Sequence, residues 1–297
     1  WTSTTKGRVT NGGALALLGK AYLYQEKFDL AASTLDKVIN EGPYGLIDDY
    51  NDLFSVVNEG HSEVVFDIQF SGAEGGGYDC FICLEGNAAV GFQGIRQYNG
   101  PVYGDGNSYN LPTQDLYDAF DATDIRRDAT VLDIDAFIAK QTNPGDIVYA
   151  EGGGGHTGYY NNKYIKRQGE IGLPDNDLTS PVNLVVIRYA DVLLMAAEAH
   201  VRSTTPNEGL AKTYLKEVTD RVNMPEITSG GTQLIEDIWN ERRLELSMEG
   251  HRFFDLVRTG QAATEITGFV TGKHEVFPIP QVEIDLAGGN WSQNPNY

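Results

Sequence analysis

The segment Ala14 to Pro43, ALALLGKAYLYQEKFDLAASTLDKVINEGP, decides how the rest of the chain is read. Its second half sets Phe28, Ala31, Leu35 and Val38 at i, i+3, i+7 and i+10, which is one face of a helix. Leu15, Leu18, Gly19, Tyr22, Ala31, Leu35 and Pro43 also stand at the offsets of the tetratricopeptide pattern of helix, turn, helix. Small residues at Gly19 and Ala31 let two antiparallel helices approach closely, and Pro43 stops the second. Residues 1–45 are therefore expected to form one such helix pair.

The same spacing returns downstream. VIRYADVLLMAAEAHVR (Val186 to Arg202) reads as a helix, and EGLAKTYLKEVTDRVNMP supplies a partner with Ala211, Leu215 and Val218 inward. GTQLIEDIWNERRLELSMEG predicts a further long helix with Leu234, Ile235, Ile238, Trp239 and Leu246 inward, and HRFFDLVRTG a short one closed by Gly260. Helix pairs of this kind stack side by side to bury their apolar faces. Residues 186–260 thus form the second helical block, followed by an extended segment over 261–297.

Between residues 60 and 180 the character changes. SEVVFDIQF alternates Val64, Phe66, Ile68 and Phe70 and reads as a strand. PTQDLYDAFDA is a helix with Leu116, Tyr117 and Phe120 on its apolar face. Around these lie long loops rich in glycine and tyrosine: SGAEGGGYDC, GFQGIRQYNGPVYGDGNSYNLP and EGGGGHTGYYNNKY. Loops of this length inside a compact protein point to function. The expected architecture is mostly α, a helical-repeat scaffold with a large irregular insertion containing short strands.

Composition bounds the partners. The 297 residues suffice for a substantial core, and 41% hydrophobic content is that of a globular protein. A net charge of −20 repels nucleic acid and anionic lipid, while neutral ligands such as sugars remain open. No apolar run is long enough to span a membrane. The chain opens WTSTTKGRVT, without an initiator methionine or a secretory leader, as a mature form or a fragment would.

The stretch NERRLELSMEGHRFFDLVRTG (Asn240 to Gly260) raises the question of catalysis. Glu241, Glu245 and Glu249 form one stripe, with Arg242 and Arg243 beside it. Glycoside hydrolysis needs two carboxyls facing each other across a cleft, and those normally come from different elements. A stripe beside two arginines reads instead as ion pairing to neighbouring helices, through Arg188, Asp191 and Glu198. No zinc-protease histidine spacing, serine elbow or phosphate loop occurs. No catalytic residue, metal ligand or cofactor is expected. Cys80 and Cys83 form one C-x-x-C, too few thiolates for a zinc site, and their spacing allows a local disulfide. The acidic turn PDNDL (Pro174 to Leu178) reads as solvated.

Binding has stronger support. Tyr78, Phe81, Phe92, Tyr98, Tyr103 and Tyr109 are interleaved with Gln93, Arg96 and Asn99. Aromatic faces stack on the apolar faces of sugar rings, and amide and guanidinium groups bond hydroxyls. The competing role for each ring is to plug its loop onto the scaffold.

Several segments resemble the SusD/RagB family: IRYADVLLMAAEA, the Asn240–Gly260 stretch, and the terminal FPIPQVEIDLAGGNWSQNPNY. KGRVTNGGALALLGKAYLY, LPTQDLYDAFDATDIRRDATV and TGYYNNKYI agree as well. The match runs in order over nearly the whole chain. The resemblance implies a single SusD-like unit over 1–297, a tetratricopeptide-like scaffold with a loop-rich ligand side. It further implies a non-catalytic outer-membrane lipoprotein at the cell surface. Such a protein captures oligo- or polysaccharide and passes it to a SusC-like TonB-dependent transporter. The lipid anchor and the N-terminal part of the family fold lie outside this chain. The loops from Gly72 to Asn110 follow no shared motif, so the aromatic and polar residues named above are expectations from composition. The rival expectation is a scaffold that docks a peptide or protein without binding sugar.

Overall fold

At Gly19 an added Cβ would lie 2.5 Å from Leu35 Cδ2, so the first two helices touch where glycine lets them. They are α1 (Asn11–Tyr24) and α2 (Phe28–Glu41). Thr10 caps α1 by accepting the Gly13 N–H at 3.0 Å. The computed structural model describes residues 7–72, 77–151, 156–170 and 178–297.

After α2 the chain runs through β1 (Val64–Ile68), α3 (Ala88–Gln93), β2 (Ile95–Arg96) and β3 (Asp105–Gly106). Next come α4 (Gln114–Ala119), α5 (Arg126–Thr130), β4 (Val131–Asp133), α6 (Ile134–Ala139) and β5 (Tyr159–Asn161). β6 (Leu184–Arg188) leads into α7 (Tyr189–Arg202), α8 (Glu208–Arg221) and α9 (Gly231–Glu245). The last elements are α10 (Arg252–Arg258), α11 (Ala262–Glu265) and α12 (Gln281–Leu286).

α7 is the axis of the scaffold. Nearly all of its residues are buried, because α2, α8 and α9 all pack on it. The core built there joins Ala16, Leu23, Ala31, Leu35 and Val38 to Leu193, Leu215, Val218, Leu234 and Ile238. Both tetratricopeptide-like pairs are thus as the spacing predicts. The helix expected from Val186 starts at Tyr189 instead: Leu184 to Arg188 pair antiparallel with β1. The run Leu184-Val185-Val186-Ile187 is rich in β-branched residues, which favour the strand.

β1 also departs from its expected alternation. Val65 is the residue buried, and Ile68 is exposed. Two register shifts, between Val64 and Phe66 and between Phe66 and Asp67, account for this, since each slip moves side chains to the other face. The middle region is otherwise made of minimal strand pairs, β2 parallel to β3 and β4 antiparallel to β5.

Contacts divide the chain into two compact units, Trp1–Glu249 and Gly250–Tyr297. Left-handed backbone at Met248 and Gly250 breaks the chain there, after α9 has ended. Within the second unit, the 261–297 stretch is not extended throughout, since it holds α11 and α12. Among the described residues no helix is long and apolar enough to cross a membrane.

Candidate functional site

The acidic stripe on α9 can be placed first, because the structure closes it off. Arg126 binds Glu241, Glu245 (3.0 Å) and Asp124 (2.7 Å), and its side chain has no exposed surface. Arg188 reaches Glu63 and Glu249, each at 2.8 Å, and Glu245 as well. Arg221 holds Glu63 at 2.8 Å and also Glu245, while Lys163 holds Glu249 at 2.7 Å. Burial alone would raise the Glu245 carboxyl, but Arg221, Arg188 and Arg126 outweigh it and hold it well below the ordinary range. Burial raises Glu241, and Arg126 only partly offsets that. These carboxylates are committed to cations inside the protein and do not face one another across a cleft. Arg188 and Asp191 serve as the sequence suggested, Asp191 pairing with Arg242 at 2.7 Å. Glu198 pairs with Arg202 on its own helix at 3.0 Å.

A different set of residues converges around α3. Asn87 starts this helix, accepting the Ala89 N–H at 3.2 Å and donating to the Val182 carbonyl at 2.9 Å. Beyond α3 the chain doubles back through β2 and β3. A Cβ on Gly106 would sit 2.4 Å from the Gly94 backbone, so this pairing needs glycine. The Tyr109 N–H then donates to the Phe92 carbonyl at 2.9 Å, Ser108 N–H to Gly94 O at 2.8 Å, and Arg96 N–H to Ser108 Oγ at 3.1 Å. Phe92, Gln93, Arg96, Tyr109 and Asn110 are thereby gathered on one surface. The rings of Phe92 and Tyr109 lie 6.2 Å apart at 47°, and Tyr109 is 63% exposed. Gln93 Oε1 accepts Asn110 Nδ2 at 3.1 Å and Asn161 Nδ2 at 2.6 Å.

Gln97, Ser108 and Asn110 all adopt left-handed backbone in this short stretch. Each costs about 1–2 kcal/mol, and such outliers gather where surrounding structure imposes a functional geometry.

The surface extends through a neighbouring segment. Asn99 and Val148 exchange both backbone hydrogen bonds (2.8 and 3.1 Å), and the Ala150 N–H donates to Arg96 O at 2.8 Å. This brings Tyr149 alongside. Its ring lies 5.9 Å from His156, which lies 6.1 Å from Tyr160, whose hydroxyl meets Ser108 Oγ at 3.5 Å. Burial and then Asp135 push the Tyr149 phenol up to about 12, so it keeps its proton at neutral pH. Tyr149 and His156 were not singled out as ligand residues. The signal available was their place in or beside the glycine-rich loop at 151–158, but the pairing with Asn99 that brings them here is not local in sequence.

The remaining expected ligand residues divide. Tyr98 and Tyr103 are buried, each only 6% exposed and packed with Ile95, Leu132, Ile134 and Ile165. They plug the loop onto the scaffold, and burial pushes the Tyr103 phenol up to about 12. Arg96 and Asn99 are exposed, and Asn99 sits at the Val148 bridge. Tyr78 is 53% exposed, close in sequence to the disulfide that joins Cys80 and Cys83. The Phe81 side chain and residues 174–177 of the acidic turn lie outside the described residues. Among the described residues, no cluster of His, Cys, Asp or Glu has the makings of a metal site.

The second unit carries an open groove of about 310 Å³, lined mainly by apolar and aromatic groups including Phe253, Phe269, Phe277 and Tyr297, with Thr267 and His274. The face around α3 offers far more hydrogen-bonding capacity: two amides, a guanidinium, phenols and a histidine beside the exposed Tyr109 ring and the half-buried Phe92 ring. It suits a ligand with both apolar faces and hydroxyls.

The chain aligns over its whole length with a laminarin-binding SusD-like protein, at 37% identity and a TM-score of 0.88, covering 65% of that protein. Surface glycan-binding protein A from Bacteroides thetaiotaomicron, solved with laminarihexaose, matches at 28% identity and a TM-score of 0.84, again over the whole chain and 66% of its own length. A SusD-like protein of Bacteroides ovatus is 28% identical over 277 residues, which is 85% of this chain and 46% of that protein. The chain therefore spans about half to two thirds of the length of these relatives. The SusD family model matches residues 62–276, from the residues before β1 to beyond α11. With the mostly helical fold, this shows that the chain belongs to the SusD family.

Proposed function

We propose that this protein captures a neutral glucan of the laminarin class at the cell surface and passes it, uncleaved, to a SusC-like TonB-dependent transporter of the outer membrane. The observation that carries the binding site is the pair of exposed Tyr109 and half-buried Phe92, with Gln93, Arg96 and Asn110 around it. A pyranose has one face of C–H groups that stacks on such rings and a rim of hydroxyls that the polar groups bond. The glucan class is supported by likeness to proteins whose names specify laminarin and laminarihexaose. A neutral glucan also escapes the repulsion that a net charge of −20 imposes on anionic polymers.

Individual stacking and hydrogen-bond contacts are weak, so modest affinity is expected, with delivery aided by the attached transporter. The protein holds its ligand without turnover in this account, and its membrane attachment is a lipid anchor outside this chain. Affinity electrophoresis against laminarin, other plant and microbial polysaccharides, and sulfated glycans tests the proposal. Retardation by laminarin, weakened in Phe92→Ala and Tyr109→Ala, is expected. Absence of retardation by every glycan would favour the peptide- or protein-docking scaffold instead.

A further inference from the structure

Gln93 ends α3, and its carbonyl oxygen accepts two amide protons, from Asn161 at 2.6 Å and Asn110 at 3.1 Å. The direction in which these amides face is fixed further back. Asn161 lies fully buried at the end of β5, and its Oδ1 accepts the backbone N–H of Lys163 at 3.0 Å and of Tyr164 at 3.3 Å. Two backbone donors require an oxygen at that point, so Asn161 must turn its nitrogen toward Gln93. Gln93 must in turn answer with its oxygen, and Nε2 is directed elsewhere. Asn110 spends its own nitrogen on the same oxygen, which leaves its Oδ1 as the free end of the amide.

Neither outward group is satisfied internally: among the described residues Gln93 Nε2 donates to nothing and Asn110 Oδ1 accepts from nothing, and neither is a buried atom without a partner. Both belong to the surface that carries Phe92 and Tyr109.

The geometry points to an oriented donor–acceptor pair, Gln93 Nε2–H and Asn110 Oδ1, that reads sugar hydroxyls, with Asn161 as the positioning residue that sets its polarity. A hydroxyl both gives and takes a hydrogen bond, so adjacent hydroxyls on one pyranose satisfy the two groups together. A uronate carboxylate or a sulfate ester only accepts, and would leave Asn110 Oδ1 facing an oxygen. The pair therefore selects hydroxyl-bearing neutral sugars over acidic ones. This rests on the proposed glucan-binding role and adds to it the group that recognises the sugar rim.

The test uses three variants and a ligand-free measurement. Gln93→Glu keeps an oxygen for Asn161 and Asn110 but replaces the outward donor with an acceptor. It is expected to weaken laminarihexaose binding at least tenfold by titration calorimetry, with an unchanged thermal midpoint. Asn161→Asp keeps the acceptor for Lys163 and Tyr164 but withdraws the donor, so Gln93 turns its nitrogen inward. It should weaken binding comparably without touching the ligand, and cause no further loss in a Gln93→Ala background. In the free protein, side-chain amide exchange by NMR should be slow for Asn161 and fast for Gln93. Slow exchange at Gln93, or Gln93→Glu binding as tightly as the wild type, would overturn the assignment. A wild-type protein that binds no glucan overturns the glucan-binding role instead, while the exchange rates still decide the amide orientation.

Discussion

Arg126 has no exposed surface, yet it serves three carboxylates drawn from two parts of the chain. A buried ionic network of this kind gains little over a well-packed apolar core, but removing one member leaves buried charge uncompensated. Arg126→Met should therefore lower unfolding free energy by about 3–5 kcal/mol in urea titrations, because Glu241 and Glu245 lose their shared cation. A loss under 1 kcal/mol would mean that water or other cations replace it. Lys163 gives a pH signature. Burial depresses its ammonium to about 8, although Glu249 pulls the other way. Between about 8 and the ordinary lysine value of 10.5, the unfolded chain keeps a proton that the folded chain has shed. Wild-type stability relative to Lys163→Met should thus rise with pH across that window, by on the order of 3 kcal/mol. The measurement is chemical denaturation of both proteins from pH 7 to 10.5, and a flat difference would refute it. At this scale the glutamate stripe was legible from spacing alone. The rest of its network was less so, since Glu63 and Lys163 lie in segments whose sequences carry no mark of a distant ion pair.

Helix pairing was the most legible feature at the scale of elements, because periodicity and small residues at fixed offsets directly encode which faces touch. Gly19 shows how tight that encoding is, with Leu35 Cγ only 2.6 Å from the position of an added Cβ. Gly19→Ala gains about 1 kcal/mol in helix propensity but meets the branch point of Leu35, where overpacking costs about 1–3 kcal/mol. Steric cost should win, and differential scanning calorimetry should record a lower thermal midpoint. A higher one would show that α1 and α2 can move apart. Boundaries were less legible. The strand–helix junction at Arg188–Tyr189 lies within a segment that reads as one continuous helix, and pairing with β1 marks where the strand ends. In β1 the bulges overrode a clear alternation. The site loop lay furthest from reach: its fold depends on Gly94 and Gly106 meeting backbone to backbone and on Asn99 pairing with Val148, neither of which has a periodic signature.

On the scale of the molecule, a helical scaffold holds an irregular face whose aromatic residues do two different jobs. Composition drew attention to the rings of this region but could not separate them. Tyr98 and Tyr103 look identical to Tyr109 in sequence, and only burial assigns the first two to packing and the third to solvent. The family was legible because its helical motifs are long and ordered, while the ligand loops follow no common pattern. In the proposed function the Phe92–Tyr109 face, and not the aromatic content of the loops at large, holds a glucan. Isothermal titration of laminarihexaose into the wild type, the Phe92→Ala/Tyr109→Ala double variant and Tyr103→Phe tests it most directly. Saturable binding is expected for the wild type and for Tyr103→Phe, with at least tenfold weaker binding, about 1.4 kcal/mol, for the double variant. Equal affinity in all three, or no heat from the wild type, would contradict it.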